Sequence, residues 1–125
     1  MHVLVVEDNE VVADSLAFLL DCHGHRATVA PDGETALSLI CRCAFELVFL
    51  DENLPGIKGS SVALSILNRP TVNRPFLVSM TGDNDNGELT LLFDACLHKP
   101  FPAEAFLQVI NAAQSGRVAN TRLAA

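Results

Sequence analysis

"ELVFLDENLPGIKG", residues 46–59, decides the fold. ELVFL (46–50) reads as a buried strand, the most hydrophobic in the chain, and it runs straight into Asp51. Pro55, Gly56 and Gly59 follow, so the chain turns soon after the aspartate. A carboxylate at the end of a buried strand costs free energy unless a cation answers it. The rest of the sequence is read for the groups that share this end of the strand.

Four more apolar stretches share that reading. HVLVV (2–6), RATVA (26–30), FLVSM (76–80) and ACLH (95–98) are short and bounded by turn or acidic residues. Between the strands the periodicity becomes helical: over 10–22, 34–43, 60–68, 85–93 and 102–115. Arg69 to Pro75 is a loop, because two prolines break it, and Gly116 is expected to stop the last helix. Residues 1–115 then form one domain and 116–125 a tail or linker. Continuous rather than alternating hydrophobicity in the strands means that both sheet faces are covered, which predicts a parallel sheet of five strands with five helices on its two faces. Such α/β sheets bind ligands beyond the carboxyl ends of their strands.

Composition narrows the classes. The chain has 125 residues, half of them hydrophobic, and a net charge of −7 with a pI near 4.8. That charge opposes direct nucleic-acid binding and anionic membrane surfaces. No apolar run is long enough to span a bilayer and none resembles a secretory signal, so a cytoplasmic location is expected. Cys22, Cys41, Cys43 and Cys96 read as reduced thiols buried near helix ends, since neither CHGH nor CRC has a common zinc-ligand spacing. His2, His23, His25 and His98 read as surface histidines.

The strand ends carry the chemistry. The first strand releases Glu7 and Asp8, the third Asp51, the fourth Thr81 and the fifth Lys99 before Pro100. On one rim, three carboxylates repel each other and raise one another's pKa, a cost that a hard divalent cation such as Mg2+ removes. Asp51 on the central strand has the chemistry of a carboxylate nucleophile that forms an aspartyl phosphate. Thr81 and Lys99 offer a donor and a cation to the added phosphoryl oxygens. Taken singly, Glu7 and Asp8 are ordinary acids of a helix start, Thr81–Gly82 a turn and Lys99 a surface lysine.

"VLVVEDNE", "FLDENLPGIKG", "SMTG" and "HKPF", in this order, resemble the receiver domain of two-component response regulators, CheY-like domains, over roughly residues 2–114. The resemblance implies a doubly wound, flavodoxin-like sheet of order 2-1-3-4-5. It makes Asp51 the phosphoacceptor, with Mg2+ held by Glu7, Asp8, Asp51 and the backbone carbonyl of Asn53. Thr81 becomes the switch hydroxyl, and Lys99 pairs with Asp51 and then with the phosphoryl group, followed by a cis bond to Pro100. Asn53 and Asp83 would line the path of the hydrolysing water. The implied partner is a histidine kinase or histidine phosphotransfer protein, with an output domain or effector beyond this chain or a hybrid kinase around it. No turnover of a small substrate is implied.

Two features depart from that pattern. The position three before the lysine is usually aromatic, but here it is Cys96, and the chain has no tyrosine. The segment from Thr81 to Lys99 is also shorter than usual by about one helical turn. The signal is therefore expected across residues 82–93 without help from position 96. Two alternatives stay open. A flavin module would need a Gly/Ser/Thr-rich phosphate loop where this chain has acidic "EDNEVVADS". A Mg2+-dependent aspartyl phosphohydrolase would need a second aspartate at position 53, which is Asn.

Overall fold

A computed structural model of the chain describes residues 1–69, 74–82 and 92–119. Five parallel strands form one sheet: β1 (His2–Val6), β2 (Arg26–Ala30), β3 (Leu47–Asp51), β4 (Phe76–Thr81) and β5 (Ala95–His98). Their spatial order is β2-β1-β3-β4-β5. The expected doubly wound order is therefore present. Four helices are among the described residues: α1 (Glu10–Cys22), α2 (Gly33–Arg42), α3 (Gly59–Leu67) and α4 (Ala103–Ala119). Residues 85–91 of the further helix expected over 85–93 lie outside the described residues, as does most of the 69–75 loop.

Alternation along the strands builds two cores. In β3, Leu47 and Phe49 pack with Leu16 and Leu20 of α1 and Phe106 of α4 on one face. Val48 and Leu50 pack with Ala36 of α2 and Val62 and Ile66 of α3 on the other. All five residues of β3 are buried, which is why its sequence is apolar at every position before Asp51. Register then aligns the strand ends, pairing Asp51 with Met80 and Thr81 with His98. No helix among the described residues is long and apolar enough to cross a membrane.

Three local readings need correction. Gly116 does not stop α4, which continues to Ala119. A helical glycine costs only about 1 kcal/mol relative to alanine, and no proline follows this one to terminate the helix. Cys22, Cys41 and Cys43 do lie at or near helix ends, but they are exposed rather than buried. They occupy the outer sides of those ends, and apolar neighbours take the inward positions. His25 is buried instead of being a surface residue, and its Nδ1 lies 3.1 Å from the Met1 ammonium. Burial, then the nearby ammonium, pushes its pKa down.

Candidate functional site

The carboxyl rim of the sheet is assembled from local rules. Asn9 caps α1, its side chain accepting from the backbone N–H groups of Val11 and Val12. The same residue's N–H donates to Glu7 Oε2 at 3.2 Å, so the cap also fixes the carboxylate before it. The sequence reading passed over Asn9, although an Asn directly before an apolar helical run is an N-cap signal. At β3, the Asn53 N–H donates to Asp51 Oδ1 at 3.0 Å and sets that carboxylate's orientation. Gly59 allows the start of α3 to approach: a Cβ there would lie 2.4 Å from the backbone oxygen of Asp51. Only a residue without a side chain fits against β3 at that point.

These elements bring the predicted residues together. Carboxylate oxygens of Glu7, Asp8 and Asp51 all lie within 4.8 Å of one another. Glu7 is 1% exposed and Asp51 4%, whereas Asp8 faces solvent. Lys99 reaches in from the end of β5, its Nζ donating to Glu7 Oε1 at 2.5 Å and to Asp51 Oδ2 at 3.1 Å. The Lys99 N–H donates to the Thr81 carbonyl at 2.8 Å, which ties the two strand ends. Thr81 is buried at the end of β4, and the Lys99–Pro100 peptide is cis. Asn53 is exposed, Cys96 is partly buried on β5, and Asp83 lies outside the described residues.

Electrostatics at this rim are unbalanced. Burial pushes the Glu7 carboxyl above its ordinary range; the Lys99 hydrogen bond opposes this and the neighbouring Asp51 adds to it. Burial alone would lower Lys99, but its hydrogen bonds to Glu7 and Asp51 outweigh that and hold its pKa above the usual value. The two directions agree on one physical picture. A single ammonium serves two carboxylates, and its attraction does not offset the burial of Glu7. Three carboxylates against one ammonium form an oxygen-rich, net negative cluster whose donor chemistry fits a hard divalent cation.

Comparison with known proteins agrees with this arrangement. The family model for the response regulator receiver domain matches residues 3–111. The sensory transduction protein RegX3 of Mycobacterium bovis is 37% identical over 113 residues, covering 88% of this chain and 49% of that protein. The transcriptional regulatory protein CutR of Streptomyces coelicolor is 35% identical over 112 residues, covering 88% of this chain and 50% of that protein. The chain thus spans about half the length of the curated relatives it matches. Among solved structures, a CheY-like receiver domain from Methylobacillus flagellatus superposes with a TM-score of 0.84 at 27% identity, covering 90% of this chain and 98% of that one. With five strands in the order β2-β1-β3-β4-β5 and this acidic rim, the chain belongs to the response regulator receiver domain family of two-component signalling.

Proposed function

We propose that this chain, with residues 1–115 as the functional domain, is a phosphoryl-accepting switch with Asp51 as the phosphoacceptor. The observation that carries this reading is the buried Asp51 carboxylate within 4.8 Å of two further carboxylates and hydrogen-bonded to Lys99. A histidine kinase or histidine phosphotransfer protein supplies the phosphoryl group from a phosphohistidine. A carboxylate oxygen of Asp51 attacks phosphorus; the P–O bond forms as the P–N bond breaks, and the imidazole leaves. Glu7, Asp8, Asp51 and the Asn53 carbonyl are the residues that would hold Mg2+, which when bound neutralises the charge of the transferring phosphoryl group.

The chain's own residues do the positioning. The Asn53 N–H and the Lys99 ammonium fix the two oxygens of Asp51 before transfer. Lys99 then pairs with the phosphoryl group, and the Thr81 hydroxyl donates to one of its oxygens. Asn53 admits the water that hydrolyses the acyl phosphate, and the family resemblance gives Asp83 the same role. The product is a change of state read by a downstream domain or effector. The aspartyl phosphohydrolase alternative is disfavoured, because Asn53 cannot serve as the second acid that such an enzyme uses beside its nucleophile.

Acetyl phosphate with Mg2+ tests the assignment. Wild type is expected to gain one phosphoryl group and Asp51→Asn none; equal labelling of the two would overturn the reading. With the labelled protein, Asp83→Leu is expected to slow the loss of label, and an unchanged decay rate would remove Asp83 from the water path.

A further inference from the structure

Asp51 is followed directly by another acid, Glu52, which stands apart from the rim cluster of Glu7, Asp8 and Asp51. Glu52 is turned toward the start of α3, where its Oε1 accepts from the Ser60 hydroxyl at 2.9 Å. Both residues are partly buried. The junction around them is tight. A Cβ on Gly59 would stand 2.4 Å from the Asp51 carbonyl oxygen and 3.1 Å from Glu52 Cα, so α3 begins against the peptide that joins the two acids. The backbone bond across this junction, from the Gly59 N–H to the Glu52 carbonyl, is long at 3.4 Å. Lys58, the N-cap of α3, makes no side-chain cap bond, and the first turn of the helix carries no acid. The Ser60–Glu52 bond is thus the short polar link between this helix start and the end of β3.

We propose that Ser60 and Glu52 form a clasp that positions the phosphoacceptor, which makes both of them positioning residues for phosphoryl transfer. This rests on the reading of Asp51 as the phosphoacceptor. Glu52 is held from two sides: its N–H donates to the Met80 carbonyl of β4 at 3.1 Å, and its carboxylate accepts from Ser60. It also separates Asp51 from Asn53, whose N–H donates to Asp51 Oδ1 at 3.0 Å. A displacement of Glu52 therefore moves both the nucleophile and the donor that orients it. The clasp has an electrostatic side as well. The amino end of a helix favours a carboxylate, and the Ser60 hydroxyl keeps the Glu52 charge there. Released from Ser60, Glu52 is free to swing toward a rim where three carboxylates already lie within 4.8 Å of one another. More negative charge there repels an incoming phosphoryl group. Phosphoryl transfer asks the protein mainly for position and charge, and the clasp serves both.

Two measurements on the full chain test the clasp, with circular dichroism confirming that each variant is folded. In labelling by acetyl phosphate at saturating Mg2+, Ser60→Ala and Glu52→Ala are each expected to be about tenfold slower than wild type, less than the roughly hundredfold that an ångström of misplacement can cost. Ser60→Thr keeps the donor and Glu52→Gln an acceptor, so both should stay within about twofold of wild type. The double variant Ser60→Ala/Glu52→Ala should be no slower than either single one, because both break the same bond. The second readout needs no phosphorylation. The Asn53 amide proton, which reports its bond to Asp51, should move upfield in Ser60→Ala and keep its place in Ser60→Thr. If wild type is not labelled but the amide moves as expected, the phosphoacceptor assignment fails and the clasp stands. An unmoved Asn53 amide in Ser60→Ala, labelling of that variant at the wild-type rate, or additive slowing in the double variant would overturn the proposal.

Discussion

Lys99 lies closer to Glu7 than to Asp51: its Nζ is 2.5 Å from Glu7 Oε1 and 3.1 Å from Asp51 Oδ2. The sequence reading paired Lys99 with Asp51 alone. Glu7 is the more deeply buried carboxylate, so it makes the stronger claim on the ammonium that the two share. Lys99 thus bridges a residue of β1's end and one of β3's end across 92 sequence positions.

This sharing makes Lys99 a structural cation as well as a ligand for phosphate. Lys99→Met keeps the stem and removes the charge. Breaking a fully buried pair costs about 3–5 kcal/mol, but the Lys99 side chain is 28% exposed, and Glu7 can neutralise by taking up a proton. A loss of roughly 1–2 kcal/mol is expected in urea unfolding without Mg2+. Millimolar Mg2+ should stabilise the variant more than wild type, because three carboxylates then face no ammonium. Equal stabilisation of the two by Mg2+ would mean that the cluster does not act as one electrostatic unit.

The raised pKa of Glu7 gives a pH dependence with a definite sign. The folded state binds this proton more tightly than the unfolded chain does, so Glu7's contribution to stability is full below its ordinary value of 4.5. It is lost as pH rises through the higher folded value. Lys99 is also raised, and its contribution is lost only above its ordinary 10.5, far from that window. Protons and Mg2+ therefore compete for Glu7. The rise in melting temperature caused by Mg2+ should be larger at pH 7.5 than at pH 5, and Glu7→Gln should flatten that difference. A pH-independent Mg2+ effect in wild type would exclude Glu7 from the cation site.

Gly59 offers a test of how backbone approach positions the nucleophile. An added Cβ would sit 2.4 Å from the Asp51 carbonyl oxygen, and backbone cannot swing aside as a side chain can. Gly59→Ala should displace α3 or the end of β3, destabilise the chain by about 1–3 kcal/mol and slow acetyl phosphate labelling. Gly82→Ala serves as control, since no atom of the described residues lies within 4 Å of its Cβ position, and should stay within about 0.5 kcal/mol of wild type. If the two variants melt alike, the close approach at Gly59 does not constrain β3.

The parallel sheet and the convergence of Glu7, Asp8, Asp51, Thr81 and Lys99 were legible because both follow from period and position, whereas the strand order was implied by the family resemblance. Five short, largely apolar runs without strict alternation indicate a parallel sheet, and a residue just past a parallel strand must lie on one rim. What stayed illegible depends on side-chain reach. That Lys99 would favour Glu7, that Arg69 would meet Cys41 and that His25 would be buried beside the Met1 ammonium require rotamers and long-range packing, which local pattern does not encode. The misread end of α4 at Gly116 has a different cause: a single glycine is a weak breaker when helix-compatible residues flank it on both sides.

The last prediction concerns how the signal leaves the site. Ser79 pairs with Cys96 and Thr81 with His98 in the β4–β5 register, so Thr81 and Cys96 lie on the same sheet face. Cys96 packs only partly against the core that contains Leu77 and Phe93. A relay through β5 would need a large side chain with two packed positions, because packed elements switch between discrete states rather than deform continuously. A thiol sweeps too little volume for that, and the response should pass directly from the Thr81 hydroxyl into the chain that follows it. Amide chemical shifts with Mg2+ and beryllofluoride should therefore change across residues 82–93 in wild type and equally in Cys96→Ala. Thr81→Ala should bind the mimic yet lose most of that change. If Cys96→Ala binds the mimic and loses it instead, position 96 is the relay despite its size.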